Sequence, residues 1–403
     1  MLLMVLPFSG VDLFSVGVTE EHEVFRKSVR ELLEKDVRPH VARGERDGSV
    51  PDEVFRKLGG AGLIGVGVPE EYGGQGGDAL MLAIATEEIT RVWPSLATRV
   101  GGSGLFIIML MYHGNEAQRK KYLPAVARGD KIGALANTEP GAGSDVAGIQ
   151  SVAKKDGGKY VLNGRKIFIT NGGIADYYVV SARTSPPDPS SRWRGLSVFI
   201  VERNQPGVKV VSRVDTMGLK ASNTAELAFE DVEVSEENLV GEEGLGFKYM
   251  VGTFNRARVG TAAQGVGVGQ AALEAMVSYS MQRKAFDSPL IGFQMVQEKV
   301  SETMIEVNAA RLLTYWAASL WDKGRENEAI IAASMAKTYA TDAAERAAIR
   351  AITVHGGYGV STDTGVERLL RDVEVMKIYE GANDIQRLTI LRESARRLLG
   401  LKM

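Results

Sequence analysis

The sequence has no cysteine. That excludes disulfides, thiolate metal sites and a catalytic thiol, and it fits a cytoplasmic protein. Histidine is scarce: His22, His40, His113 and His355 are scattered, with no i,i+4 pair and no H-E-x-x-H, so no metal site is expected. Charge of one sign is lacking as well. Lys+Arg number 48 against 50 Asp+Glu, for a net charge of -2, with the signs interspersed. This leaves no footprint for nucleic acid or an anionic membrane. The apolar opening MLLMVLPF is shorter than the roughly 20 residues of a membrane span. It has no basic region before it and no clear cleavage site after it. A frayed or docked terminus and a soluble chain are the expectation. No G-x-S-x-G nucleophile elbow is present. The Gly-rich stretch EYGGQGGD (71–78) is not followed by Gly-Lys-Ser/Thr, so it reads as a structural loop and not a P-loop.

What is present is organised in blocks. A length of 403 residues is a prior for two or three domains. Residues 19–38 have helical spacing, with Val24, Phe25, Val29, Leu32, Leu33 and Val37 on one face. Thr19 stands as cap, with Glu20 and Glu21 in the first turn. Further helical stretches follow at about 51–63, 78–91 and 115–127. The character changes near 133. KYVLNGRKIFIT reads as two strand runs joined by a hairpin at Asn163-Gly164. LSVFIVE (196–202) and VKVVSRV (208–214) are strands by their β-branched content, and TSPPDPSSRW (184–193) is a loop. From 246 the pattern is helical again, at about 246–282, 291–323, 326–355, 364–376 and 383–399. The chain therefore reads as α+β: a helical domain over 1–132, a β domain over 133–243 and a helical domain over 244–403. GVGVG (265–269) lacks the strand and acidic residue of a dinucleotide fingerprint. Gly265 and Gly269 lie one helical turn apart, which suits close helix packing.

Four segments collect chemistry-bearing residues. In ALANTEPGAGSD (134–145), Gly141 and Gly143 let backbone approach a flat or phosphorylated group; an ordinary Gly-rich turn would look the same. In KIFITNGG (166–173), Phe168 and Thr170 fall on one strand face by period 2, as they would for plain packing. QRKAFDSPLIGFQ (282–294) offers Arg283, an always-charged phosphate binder. In VHGGYG (354–359), Gly356-Gly357 suggests a helix end with free N–H groups, a pyrophosphate seat.

Taken together with FEDVEVSEENLVGEEGLGFK and YEGANDIQR, these segments resemble the acyl-CoA dehydrogenase family, in order and over essentially the full length. The resemblance implies an N-terminal helical domain, a middle β barrel and a C-terminal four-helix bundle. It also implies one FAD per subunit and a homotetramer built from dimers. It places Thr138 and Ser144 at the flavin and its phosphate side, with backbone from Leu135 and Asn137 and room at Gly143. Ser144 also meets the CoA pantetheine. Phe168 takes an aromatic position, usually Trp, against the flavin, and Thr170 its hydrogen bond to flavin N5. Arg283, Phe286, Gln294, Gly356 and Gly357 would reach the FAD of a neighbouring subunit, and Ala382 and Asp384 also fall on the cofactor. Asn255 and Arg258 of FNRAR, with Tyr379 and Gly381, fall on the substrate side. Thr353, Ala382 and Asp287 depart from the usual Gln, Thr and Gly.

Glu380 of KIYEGANDIQRL matches the family's catalytic base. The residue before the conserved arginine, where some branches put the base, is Ala257 and cannot serve. Locally, Thr364-x-x-Glu367 reads as a capping box and Asn383 as the cap of the next helix. Glu380 then sits in a turn with free N–H groups that can hold a thioester carbonyl. Its carboxylate takes the α-proton, and flavin N5 accepts the β-hydride. A surface salt bridge or a helix cap is the plainer reading of an isolated glutamate.

The implied activity is α,β-dehydrogenation of an acyl-CoA to trans-2-enoyl-CoA, in fatty acid β-oxidation or other lipid metabolism. Electrons pass to an electron-transfer flavoprotein. An oxidase using O2 and a non-catalytic scaffold of the same fold are the alternatives. In SLATRVGGSGLF (95–106), Gly101, Gly102 and Gly104 leave room for an acyl chain. Arg99 is expected at a surface or interface, against the other reading in which it pairs with an acidic acyl end.

Overall fold

The computed structural model describes residues 16–398 and residue 400; the apolar stretch at 1–8 lies outside them. Six helices come first: α1 (Glu20–Asp36), α2 (Val41–Asp47), α3 (Asp52–Gly60), α4 (Ala79–Val92), α5 (Pro94–His113) and α6 (Glu116–Ala127). Eight strands follow: β1 (Gly133–Ala136), β2 (Val152–Asp156), β3 (Lys159–Ile169), β4 (Tyr177–Arg183), β5 (Leu196–Glu202), β6 (Val208–Arg213), β7 (Ala225–Ser235) and β8 (Leu239–Val240). The chain ends with α7 (Gly246–Gln282), a hairpin of β9 (Lys284–Ala285) and β10 (Ser288–Pro289), α8 (Gln294–Asp322), α9 (Glu326–His355), α10 (Val366–Met376) and α11 (Asn383–Glu393).

These elements gather into two compact units. Among the described residues, one comprises those up to Ala42, Asp78–Pro94 and those from Arg258 onward; the other comprises Arg43–Gly77 and Ser95–Ala257. The N-terminal helices are thus shared out, with α1 and α4 going to the C-terminal helices.

In the helical unit the core is built from small side chains. Ala329, Ala332, Ala333, Ala336 and Ala340 of α9 meet Ala262, Ala263 and Val266 of α7 and Val307 and Trp316 of α8. Alanine favours the helix and brings helix axes close. Glycine brings them closer still. A Cβ on Gly265 would lie 2.8 Å from the Ala340 main chain, and one on Gly267 2.5 Å from the Glu87 carbonyl oxygen on α4. Larger groups fill what remains: Leu320 and Ile331 are fully buried, each contributing about 1.5–3 kcal/mol. On α1, Val29 and Leu33 are buried as expected, as is Val37 at its C-terminal cap, but Val24 is exposed. Thr19 caps the helix, its N–H donating to His22 Nδ1 at 3.1 Å.

The second unit holds one eight-stranded sheet in the order β6-β7-β3-β2-β4-β5-β8, with β1 pairing parallel to β4. Its core takes Tyr160, Leu162, Tyr178, Val180, Phe199, Leu227 and Phe229. The hairpin expected at Asn163-Gly164 is absent, because β3 runs straight through those residues. The turn falls at Gly157-Gly158, with φ of +55° and +84° between the paired Asp156 and Lys159. Two left-handed residues in a two-residue loop are what a type I′ turn requires. Asn163 instead bridges to Asp231 on β7, and a Cβ on Gly164 would collide with Ser151 at 2.0 Å. Among the described residues one helix, α5, is long and apolar enough to cross a membrane; 61% of its most apolar window is buried in the protein.

Candidate active site

In the helical unit the turn between α10 and α11 carries Glu380. Its backbone is left-handed, φ +50°, followed by Gly381 at φ +92°. A non-glycine residue there costs about 1–2 kcal/mol and persists only where the surroundings impose it. They do so here through the carbonyls. Arg258 Nε donates to the Glu380 carbonyl oxygen at 3.1 Å. Gln386 Nε2 donates to the same oxygen at 3.4 Å and to Gly381 O at 3.0 Å. Lys337 Nζ, from α9, donates to Lys377 O at 2.9 Å and Gly381 O at 3.0 Å. The Glu380 N–H has no acceptor among the described residues. A side chain at Gly381 would be strained by its φ of +92° and would displace Gln386, whose Nε2 lies 2.3 Å from the Cβ position.

The Glu380 carboxyl is the exceptional group. The residue keeps some accessible surface, but its Oε2 is shut from solvent and meets no hydrogen-bond donor. Burial pushes the carboxyl up to about 7, against the pull of Lys337 and Arg258. Gln386 Oε1 is also buried without a partner. Glu380 Oε2 in the strained turn and Gln386 Oε1 on α11 are thus both left for a further partner. Tyr379 lies alongside, its hydroxyl donating to Gln264.

Two expectations about this turn fail. No capping box forms at Thr364: Gly365, at φ +66°, takes the cap position of α10, and Thr364 Oγ1 donates to Tyr358 O at 2.9 Å. Asn383 does not cap α11. Ala382 occupies that position, and the Asn383 amide is buried, donating to Thr341 Oγ1 at 2.9 Å and Asp342 Oδ1 at 2.8 Å. Asp384 is exposed and paired to Arg387.

Elsewhere in this unit, Arg283 and Gln294 are exposed at the ends of the β9–β10 connection. Phe286 and Asp287 form its turn at φ +50° and +64°, and Phe286 is 91% exposed. Gly356 and Gly357 are exposed, but they cap the C-terminal end of α9. The Gly356 N–H is consumed by Ile352 O and Thr353 O. The helix-end seat expected for pyrophosphate is therefore a C-terminus, which presents carbonyls and partial negative charge.

In the sheet unit, residues 135–145 form a braced loop. Leu135 and Asn137 are buried. Lys166, fully buried, donates to Asn137 O at 3.0 Å and Glu139 Oε1 at 2.8 Å. Glu139 also accepts from Gln150 N and from Ser151 N and Oγ. Burial lowers the Lys166 ammonium to about 8, opposed by Glu139. The bracing leaves the far side open. Gly141, Gly143 and Ser144 are exposed, and nothing lies within 4 Å of a Cβ on either glycine.

Thr138 receives the Ile167 N–H on its carbonyl at 2.9 Å. Phe168 and Thr170 do not share a strand face by simple alternation. The pairing of β3 with β7 slips between Lys166 and Ile169, Phe168 sits at φ +58°, and Thr170 lies beyond the strand. A bulge aims a side chain out of the pleat, and it leaves Phe168 59% exposed. Asn255, on α7, is partly buried. Arg99 is not at a surface. It is buried, donates to Val50 O at 2.7 Å and Asp52 at 2.9 Å, and stacks on Phe55.

Sequence reasoning missed Lys337, Gln386, Lys166 and Glu139. The signal for Lys337 was a lone cation among the alanines at 333, 336, 340 and 344, which share its helix face.

Three family models match: the acyl-CoA dehydrogenase N-terminal domain at residues 19–130, the middle domain at 134–232 and the C-terminal domain at 244–395. An acyl-CoA dehydrogenase of Bacillus subtilis (strain 168) is 44% identical over 379 residues, covering 93% of this chain and 97% of that protein. The solved butyryl-CoA dehydrogenase of Megasphaera elsdenii superposes with a TM-score of 0.88 at 37% identity, covering 93% of this chain and 98% of that one. A chain from the structure of the electron transferring flavoprotein of Acidaminococcus fermentans does so at 0.89 and 38%, with the same coverage. The chain belongs to the acyl-CoA dehydrogenase family and has its three-domain fold. It is an oxidoreductase acting on the CH–CH group.

Proposed function

We propose that this protein is an FAD-dependent acyl-CoA dehydrogenase in which Glu380 abstracts the α-proton and trans-2-enoyl-CoA leaves as product. The buried, unpartnered Oε2 of Glu380 carries the reading. Burial raises a carboxyl towards neutral pH and makes the carboxylate a stronger base. The free Glu380 N–H suits the thioester carbonyl as negative charge develops on it. Arg258 and Gln386 hold the Glu380 carbonyl turned back into the protein, which keeps that N–H presented.

The residues present fit FAD. The open backbone at Gly141 and Gly143, the outward-aimed Phe168 ring and Thr170 are assigned to the flavin in the sheet unit, with Leu135, Asn137, Thr138 and Ser144. Arg283, Phe286, Gln294, Ala382 and Asp384 are assigned to the cofactor in the helical unit, together with Gly356 and Gly357, whose exposed backbone would meet it by close approach and not as a helix N-terminus. Ser144, Asn255, Arg258, Tyr379 and Gly381 are assigned to acyl-CoA. When bound, FAD supplies the two-electron acceptor for the β-hydrogen.

Electrons then pass to an electron-transfer flavoprotein, a partner supported by the likeness to the Acidaminococcus structure. The chain works in the cytoplasm, in fatty acid β-oxidation, as a homotetramer. The exposed apolar side chains of Phe286, Met295, Met304 and Ile305 suit a second copy. The test is an anaerobic titration of the purified protein with acyl-CoAs of graded length and branching, followed by visible absorbance. Bleaching of a flavin spectrum by one class is the expected result, and that class is the substrate. Rapid recovery of the oxidised spectrum in air would replace the dehydrogenase by an oxidase. A colourless protein that takes up no FAD would leave a scaffold.

A further inference from the structure

Lys337 has no part in the chemistry just described, yet it lies beneath the turn that carries it. It is fully buried on a helix face rich in alanine. Its Nζ reaches three acceptors that bracket Glu380 in the chain: Lys377 O at 2.9 Å, Gly381 O at 3.0 Å and Asn383 Oδ1 at 2.8 Å. Three acceptors need three N–H donors. An ammonium has three and a neutral amine two, so the geometry requires the charged form. Asn383 is pinned in turn by Thr341 and Asp342 of the same helix.

We infer that Lys337 is a positioning residue for the base: it ties the strained Glu380-Gly381 turn to α9 and keeps a positive charge beneath the carboxylate. This rests on the acyl-CoA dehydrogenase reading above. A left-handed Glu380 needs its surroundings to impose the conformation, and Lys337 supplies two of the hydrogen bonds to turn carbonyls that do so. The charged groups around the pair are Arg258 from α7, Asp342 from α9, and Arg387 and Glu393 from α11. Burial pushes the Lys337 ammonium down to about 7 while Glu380 and Asp342 support it; the three acceptors decide for the charged form. Its charge favours the Glu380 carboxylate. Removing it therefore raises the base's pKa, and the acid limb of the pH–rate profile moves to higher pH.

The test is stopped-flow reduction of the FAD-loaded full chain by the acyl-CoA that bleaches the wild type fastest, across pH. Lys337→Met removes both tether and charge. It is expected to bind FAD, to reduce about 100-fold more slowly, the cost of an ångström-scale misplacement, and to move the acid limb up by about one unit. Lys337→Gln keeps two N–H donors without charge, so it recovers part of the rate and retains the displaced limb. Variants that reduce within about threefold of wild type, with the limb unmoved, overturn the assignment. Should Lys337→Met fail to fold, Lys337→Gln decides by the same readouts. Failure of both to hold FAD makes Lys337 a structural residue and also overturns it. A wild type that no acyl-CoA bleaches removes the function and this inference together, whereas a bleached wild type matched by its variants removes only the inference.

Discussion

Glu88 and Glu380, both in the helical unit, have oxygens shut away from water, and their surroundings are opposites. Glu88, on α4, accepts from Arg26 at 3.1 Å, from Arg30 at 3.0 and 2.7 Å and from Arg91 at 3.0 Å. Its neighbour Glu87 takes Arg26, Arg311 and Tyr315. Burial would raise the Glu88 carboxyl, but Arg30 and Arg91 outweigh it and hold it below the usual range. Glu380 has two cations nearby: Arg258 Nε donates to its carbonyl oxygen and Lys337 Nζ to two carbonyls and the Asn383 amide oxygen, while its Oε2 meets no donor. Burial wins there. The difference teaches how one side-chain type serves two ends. A buried glutamate gripped by arginines holds helices together; one left ungripped beside cations keeps its affinity for a proton.

Glu380→Gln should sharpen the contrast most. FAD and acyl-CoA binding persist while the rate of flavin reduction falls by at least about 10³-fold, the scale of a general base. Near-normal reduction in a stopped-flow trace would take Glu380 out of the mechanism. Next, Glu88→Gln leaves three arginines short of a buried partner and should cost about 3–5 kcal/mol in denaturant unfolding. Its reduction rate per bound flavin should stay within about threefold, since no reacting group is touched. A large rate loss at unchanged stability would break the comparison.

The two residues should also give opposite pH slopes. Glu380 binds a proton more tightly folded than unfolded, so its contribution to stability falls as pH rises from about 4.5 to about 7. Over that same window the reduction rate of the enzyme should climb. Glu88 binds its proton less tightly when folded. Its contribution is fully present above the unfolded value and is lost as pH falls through the lower folded one. Melting temperatures of Glu380→Gln and Glu88→Gln against wild type, across roughly pH 4 to 8, separate the two. The smallest effect belongs to a surface pair. Breaking Lys209–Glu230 on the β6–β7 ladder, where both side chains are more than half exposed, by Lys209→Met should leave the melting temperature unchanged within error.

Much of this was legible in the sequence where local physics stands alone. The long C-terminal helices declare themselves by apolar spacing, and Gly265 and Gly269 by theirs. The place of Glu380 in a turn between two helices was legible from the spacing on either side of it. What the sequence could not show was competition for a group. Asn163-Gly164 has the chemistry of a hairpin turn, but the tighter Gly157-Gly158 takes the turn and Gly164 is needed for its approach to Ser151. Thr364 and Asn383 look like caps, yet Tyr358 and Lys337 engage their side chains first. Phe168 alternates properly on paper, and a bulge then rotates it outward. Arg99 reads as a surface cation until Asp52 and Phe55 enclose it. Each miss lies where partners distant in sequence decide.

The glycines of α7 have a wider reach than packing alone. Gly265 abuts α9, Gly267 abuts α4, and a Cβ on Gly269 would sit 2.8 Å from Val307 on α8. A helix seated main chain to neighbour on three sides can neither turn about its axis nor slide along it, like a keyed shaft in its housing. Arg258 rides on that shaft and grips the Glu380 carbonyl. The position of the Glu380 turn is therefore indexed through Arg258 from about two to three helical turns away, and a methyl group added at any of those glycines has to shift a neighbouring helix or side chain.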